Sequence, residues 1–352
     1  MTVEEIKLRR LSNQHLLEPS DIMTVVRDLC GVQAQFFANA VHALKIRCSD
    51  FSEARIREQL VKNWTVRGTV HLFDPADNGL FLCCADGKNY RRNQWTEPSF
   101  WNRRGDWSLT PERQSLFTDV IVDALRDGPR SRDELKLICR QSGMTDAEEG
   151  SMFHPWGGGV REMCQRGFMH YAAQDGKAFC LTPDFSPVPE QKAMLELARR
   201  YFTCFAPATV HDAMYFFGAP ARKVRGWLEQ LPVTEVGCGG EKYYYIDSGR
   251  NYSGCEMAEC LFLAGFDQLM MGYEKKESLF LRREHLKAVF TAAGIVRPTV
   301  LLRGSVVGCW SKKQNKLTIS PFERMSTADR ASVKEKAGAL WQDIERIDFK
   351  EI

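Results

Sequence analysis

A chain of 352 residues, 44% hydrophobic and 26% charged, has an ordinary globular composition and is long enough for two or more domains. A formal net charge of +3 is too weak to establish a polyanion partner on its own. No stretch approaches the ~18 apolar residues of a membrane span, and the opening MTVEEIKLRR holds no apolar signal core, so a soluble, cytoplasmic protein is expected.

The first 75 or so residues read as a degenerate copy of a module seen more clearly later. Ser20 or Asp21 starts a helix that ends near Gly31. The run LCGVQAQFF then sets two glutamines, Gln33 and Gln35, among apolar residues. If V-Q-A-Q is extended, both glutamines face one way while Val32, Ala34 and Phe36 anchor the other face in the core. A buried amide without partners costs about 1–3 kcal/mol. The pair therefore either satisfies neighbouring backbone groups or holds something else. Asp50-x-x-Glu53 caps SEARIREQLVKN, and WTVRGTVHLF comes next as a strand. Alternation along it puts Val66, Val70 and Leu72 on one face and Arg67, Thr69 and His71 on the other.

From Thr110, TPERQSLFTDVIVDALRDG has apolar residues at helical spacing and stops at Gly128-Pro129. SRDELKLICRQSG opens with the capping pattern Ser131-x-x-Glu134. A third helix near VREMCQRG leads into FMHYAAQDGKAFCLT, two strands joined at Asp175-Gly176. The order recurs in EQKAMLELARRYFTCFA, in TVHDAMYFFG with Thr209-x-x-Asp212, in RKVRGWLEQL, and in VTEVGCGGEKYYYI turning at Gly239-Gly240. Helix, capped helix, helix and two-stranded wing is the winged-helix plan. The last stretch reads as strands with turns at Arg303-Gly304 and Gln314-Asn315, closed by the amphipathic helix TADRASVKEKAGALWQDIERI.

The predicted class is α+β, mainly α, with three tandem winged-helix modules. They span residues 1–108, 109–188 and 189–250, with a β-hairpin region and terminal helix over 251–352. The 12 cysteines include no CxxC and no histidine-paired spacing, which favours buried reduced thiols over disulfides or zinc. Basic residues come in pairs: Arg91-Arg92, Arg103-Arg104, Arg199-Arg200, Arg222-Lys223, Arg282-Arg283 and Lys312-Lys313. Such pairs are either solvated faces or a concave surface for nucleic acid. No Walker sequence, HExxH or dinucleotide fingerprint is present, and the glycines of HPWGGGV succeed no strand of a βαβ unit.

The linked winged helices, G-V-Q-A-Q, WTVRGTVHLF, FDQLMMGY and TVLLRGSVVGCW together resemble the AlkZ/YcaQ-type winged-helix DNA glycosylases, from about residue 11 to residue 320. In that family the Q-x-Q segment, or Q-x-D in another branch, carries catalysis. The resemblance therefore assigns catalysis to Gln33 and Gln35, places the chain in the AlkZ-like branch and implies a substrate of double-stranded DNA carrying N7-alkylated purines. Bulky adducts or interstrand crosslinks made by natural-product toxins are implied as possible substrates, in general repair or toxin self-resistance. A monomer acting at the nucleoid is expected, without metal or cofactor.

The residue chemistry agrees. Glutamine is no general base near neutral pH, but two amides can orient one water and stabilise partial charge by their dipoles. That suffices where the leaving group is already good. A cationic N7-alkylguanine departs as a neutral base, and the sugar develops oxocarbenium character. Asp267 is a further catalytic candidate, the alternative being a local cap or the partner of a nearby arginine. Arg67, Thr69 and His71 are DNA-contact candidates, against a plain strand surface with a partly satisfied histidine. Arg303, at its turn, joins the DNA-contact set. So do Trp310, Lys312 and Lys313, unless the tryptophan is core and the lysines merely solvated. The reading from another class is a non-catalytic tandem winged-helix regulator, since winged helices serve both roles. A protein-interaction scaffold would show exposed apolar patches in place of a basic cleft.

Overall fold

Side-chain caps start several of the helices. Thr2 accepts from the Glu5 N–H while Glu5 reaches back to the Thr2 N–H, opening the helix Val3–Asn13. Equivalent boxes pair Ser131 with Glu134 and Thr209 with Asp212, as their spacing predicts, and also Thr145 with Glu148. The box at Thr145 opens the helix Asp146–Met152, which the sequence reading passed over although the T-x-x-E signal is present.

The computed structural model describes residues 1–65, 67–82, 107–155, 157–174 and 176–351. The basic pairs at 91–92 and 103–104, Cys83-Cys84, Val66 and Asp175 lie outside the described residues. Among the described residues no helix is long and apolar enough to cross a membrane, and the cysteines are free thiols. Burial pushes the thiols of Cys139 and Cys260 up to about 12, which keeps them protonated and poorly nucleophilic. The fold is mixed α and β, and the chain divides into two units, residues 1–53 with 198–352, and residues 54–197. The division at 53/54 falls inside the stretch expected to form the first module.

In the 54–197 unit, the helices Pro111–Arg126, Arg132–Gln141 and Gly158–Gln165 precede the hairpin Met169–Tyr171 with Ala178–Leu181. Phe117, Ile121, Leu135, Met152, Val160, Met163 and Phe179 form its core. The segment WTVRGTVHLF differs from expectation. It begins at the end of one strand, Val61–Trp64, turns, and becomes a second, Val70–Phe73, antiparallel to the first with Trp64 opposite Val70. The chain turns back between them because Gly68 takes φ +79 and its N–H bonds to the Thr65 carbonyl at 2.9 Å, a conformation other residues rarely adopt. All four residues of Val70–Phe73 are buried, so the two-faced alternation expected there is absent. The preceding helix is also short, Glu53–Gln59, because the strand begins at Val61.

In the other unit, the helices Val210–Phe217 and Ala221–Leu228 lead to the hairpin Thr234–Cys238 with Glu241–Tyr245, which turns at Gly239-Gly240 as expected. A five-stranded sheet has the order Arg346–Phe349, Lys316–Pro321, Ser305–Lys313, Thr299–Leu302, Cys260–Leu263. Its turns fall at Arg303-Gly304 and at Gln314, all with positive φ. The helix Thr327–Leu340 packs Val333 and Ala337 against the sheet residues Phe262, Val300, Leu317 and Ile319. The closing helix was expected to run on through Ile347. It stops at Leu340 because Trp341 turns to extended backbone, and residues Arg346–Phe349 form a strand parallel to Lys316–Pro321. Ile347 and Phe349 there join the same core.

Burial also sets one protonation state. Glu162 is pushed up from 4.5 to about 7, mainly by burial, against the opposing charges of Arg166 and Arg161 and a bond from Gln114 at 3.3 Å. Between these values the folded unit binds more protons than the unfolded chain, so this group's stabilising contribution falls as pH rises. Glu162→Gln should flatten that decline. The check is the difference between wild-type and variant urea-melt stabilities from pH 4.5 to 7.5. The buried His71, whose pKa is held well below 6.5 by desolvation, titrates the other way but equally in both proteins.

Candidate active site

After the helix Ile22–Asp28, the Cys30 and Gly31 residues take φ +53 and +79 and return the chain into the core. Val32–Gln33 is extended, and Val32 and Ala34 are buried as expected. Gln33 is 7% exposed, while Gln35 stands in the open. Among the described residues neither amide is hydrogen-bonded. The backbone-satisfying role for this pair is therefore not the one the structure displays. Phe36 departs from expectation. It is 46% exposed and does not anchor the core, because it occupies the N-cap position of the helix Phe37–Lys45 and lays its ring on Phe266 at 5.7 Å.

Beyond the glutamines the chain is held firmly. His42 donates from Nε2 to the Phe262 carbonyl at 2.7 Å and packs between Trp310 and Trp341. Burial lowers its pKa, so the ring is neutral. Gly265 lets Asn39 approach closely: a Cβ there would lie 2.7 Å from the Asn39 Nδ2. Arg47, 0% exposed, grips Asp267 with both arms of its guanidinium, Nη1 to Oδ2 at 3.0 Å and Nη2 to Oδ1 at 2.7 Å. It also donates to the carbonyls of Gln14 and Ala43, each at 3.0 Å.

Asp267 is 1% exposed and also accepts from the Leu269 N–H, capping the helix Gln268–Met271. Its carboxylate is committed to Arg47 and to a helix end. This is the cap-and-partner alternative, with three of the carboxylate's hydrogen bonds made inside the protein and only 1% of the residue exposed.

The DNA-contact candidates fare unevenly. His71 is 1% exposed, with Nδ1 at 3.0 Å from the Thr69 carbonyl and 3.1 Å from the Thr65 hydroxyl. Desolvation keeps it neutral, so a phosphate contact from His71 is not supported. Arg67 and Thr69 are half-buried in the turn. Trp310 donates its indole N–H to the Leu263 carbonyl at 2.9 Å and packs on Phe262 and Trp341, which makes it core and not a groove-inserting side chain. Arg303 pairs with Glu259 and Asp329, and Lys312 with Asp343 at 2.6 Å. Lys313 is exposed and unpaired among the described residues.

Sequence reasoning placed Phe36 in the core and missed Asn39, His42 and Arg47. The signal for Arg47 was an arginine set between Ile46 and Cys48, but nothing local names its partner. Among the described residues, Glu284, His285 and Glu323 stand close enough together to hold a metal ion. Arg282 already lies 2.7 Å from Glu323 and 3.7 Å from Glu284 there.

The model of one family, DNA glycosylase AlkZ-like, matches residues 26–342. An interstrand DNA cross-link repair glycosylase of Streptomyces sahachiroi is 26% identical over 334 residues, covering 89% of this chain and 88% of that protein. The solved structure of the Streptomyces sahachiroi DNA glycosylase AlkZ matches with a TM-score of 0.79 and 23% identity over all of both chains.

Burial decides what the Arg47–Asp267 pair contributes. Removing one member of a buried pair strands the other and costs about 3–5 kcal/mol, whereas an exposed pair contributes about 0–1 kcal/mol. In urea melts Arg47→Ala and Asp267→Ala should each fall in the first range and Glu259→Ala, facing Arg303, in the second.

Proposed function

The chain belongs to the DNA glycosylase AlkZ-like family, and from that premise we propose that it hydrolyses the N-glycosidic bond of N7-alkylated, cationic purines in duplex DNA, leaving an abasic site. Bulky adducts and crosslinked strands are included among its substrates in this reading. The observation that carries it is the pair of uncommitted amides at Gln33 and Gln35, in a segment whose flanks are pinned by His42, Asn39 and Arg47.

The C1′–N9 bond breaks with its electron pair going to the base, which neutralises the purine's positive charge. No acid is required for that step. The two amides orient one water towards C1′ as cationic character develops on the sugar. The water oxygen bonds to C1′ and its proton leaves to solvent. No lysine enters, so the strand remains uncut. Asp267 acts at a distance, as a positioning residue that locks Arg47 and the loop beside Phe266.

On the same reading, the recurring helix, capped helix, helix and hairpin over 109–188 and 189–250 are winged-helix modules, with a degenerate one at 1–108, in a monomer. Exposed bases, Lys313 among them, meet phosphates without reading sequence. The protein then works in the cytoplasm at the nucleoid.

Incubation with a duplex holding one N7-methylguanine should yield alkali-labile abasic sites. Binding to one preferred sequence by on the order of 10³-fold or more, without lesion preference, would instead mark a regulator. Gln33→Ala and Gln35→Ala should each slow single-turnover base release by less than the 10²–10³-fold typical of a lost oxyanion-site donor, because the leaving group is already good. Affinity for the lesion duplex should be nearly unchanged. The double variant should lose less than the product of the single effects, since both amides hold the same water. Wild-type release by both normally melting single variants would dismiss the glutamine mechanism.

A further inference from the structure

Phe36 is placed against local preference. The N-cap position of a nine-residue helix favours Ser, Thr, Asp or Asn, worth about 1 kcal/mol over a residue that cannot cap. Phe36 makes no side-chain cap there, and its ring is 46% exposed. The ring is nonetheless not loose. One face is backed by Phe266 at 5.7 Å with the planes 27° apart. Phe266 is itself 7% exposed, at φ +57, with its N–H held by the Val296 carbonyl at 3.2 Å. The next residue is Asp267, clamped by Arg47. An apolar ring is thus held rigidly at the surface, beside the exposed Gln35, by a buried ion pair behind it.

We propose that Phe36 is a specificity-determining residue, whose open π face stacks on the flat cationic purine before it leaves. This rests on the reading that Gln33 and Gln35 mark the reaction centre. The ring quadrupole presents negative charge at its face and attracts a cation lying over it, by about 0.5–1 kcal/mol where exposed and about 2 kcal/mol when desolvated. Stacking of any base on an aromatic ring adds sequence-tolerant affinity. Only the charge-dependent part distinguishes an N7-alkylated guanine from a neutral one. Phe36 therefore favours the substrate whose leaving group needs no acid, which is the substrate two glutamines can serve.

The test compares three duplexes that differ at one position. One carries 2′-fluoro-N7-methylguanine, in which fluorine destabilises the sugar cation so that the base stays attached. The second carries 2′-fluoro-7-methyl-7-deazaguanine, its neutral counterpart of the same shape, and the third 2′-fluoroguanine. Wild type should bind the cationic duplex about 2–30-fold more tightly than the neutral counterpart, the range set by the cation–π energies above. Phe36→Leu keeps apolar bulk and should collapse that ratio to near one, while Phe36→Tyr keeps it. Wild-type discrimination in Phe36→Leu would show that the ring only covers Phe266, and would overturn the proposal. So would equal binding of the cationic and neutral duplexes by the wild type. Melting curves confirm folding, and the Leu and Tyr variants preserve the contact with Phe266. The glutamine reading is judged separately, on base release by Gln33→Ala and Gln35→Ala, so either idea can fail alone.

Discussion

A guanidinium with no access to water must have its charge and its hydrogens answered inside the protein. Arg47 is in that position, and Asp267 supplies the answer with two oxygens while Gln14 and Ala43 supply carbonyls. Charge-assisted, two-armed contacts of this kind are the strongest hydrogen bonds a protein makes, and the most costly to leave half made. The segment bearing Gln33 and Gln35 enters the helix Phe37–Lys45 that ends beside Arg47, and Phe266 immediately precedes Asp267. One ion pair sets the placement of both.

A second buried pair repeats the device. Arg10 bonds to Asp212 at 2.9 Å and to the Pro207 carbonyl at 2.8 Å, with its Cζ 3.8 Å from the Tyr273 ring centre. Asp212 is shared further, capping its own helix at Thr209 and accepting the Glu274 N–H. Both pairs join the first 53 residues to the stretch after 198. They explain why one unit is assembled from the two ends of the chain while residues 54–197 form the other.

Features governed by near neighbours were legible in the sequence. The boxes at Ser131 and Thr209 and the turns at Gly239-Gly240, Arg303-Gly304 and Gln314 depend on residues a few positions apart. What escaped was decided at a distance, with one exception. Alternation through WTVRGTVHLF overlooked that a single glycine at positive φ turns a strand into a hairpin. The tail after Leu340 carries helical spacing, yet the free edge of Lys316–Pro321 claims Arg346–Phe349 as a strand. Trp310 and His71 looked like surface tools because neighbouring lysines and threonines are polar. Their carbonyl partners, Leu263 and Thr69, show them to be interior groups. The glutamine pair stood out because uncommitted amides are anomalous in an apolar run. For Asp267 the cap-and-arginine role was among the readings, but which arginine could not be named, since Arg47 lies 220 residues away.

That separation has a bearing on how the protein is made. A ribosome adding about 5–20 residues per second takes on the order of 10–45 s to travel from Arg47 to Asp267. Throughout that interval the N-terminal helices have been synthesised, but the carboxylate that would receive Arg47 has not. The 54–197 unit, whose described core cluster comes from its own span, is complete on the nascent chain first. The first 53 residues wait as an unpaired, partly apolar segment until the strands after 260 emerge. On the proposed reading, the segment bearing Gln33 and Gln35, although translated well before Asp267, is thus among the last parts of the described chain to be locked in place.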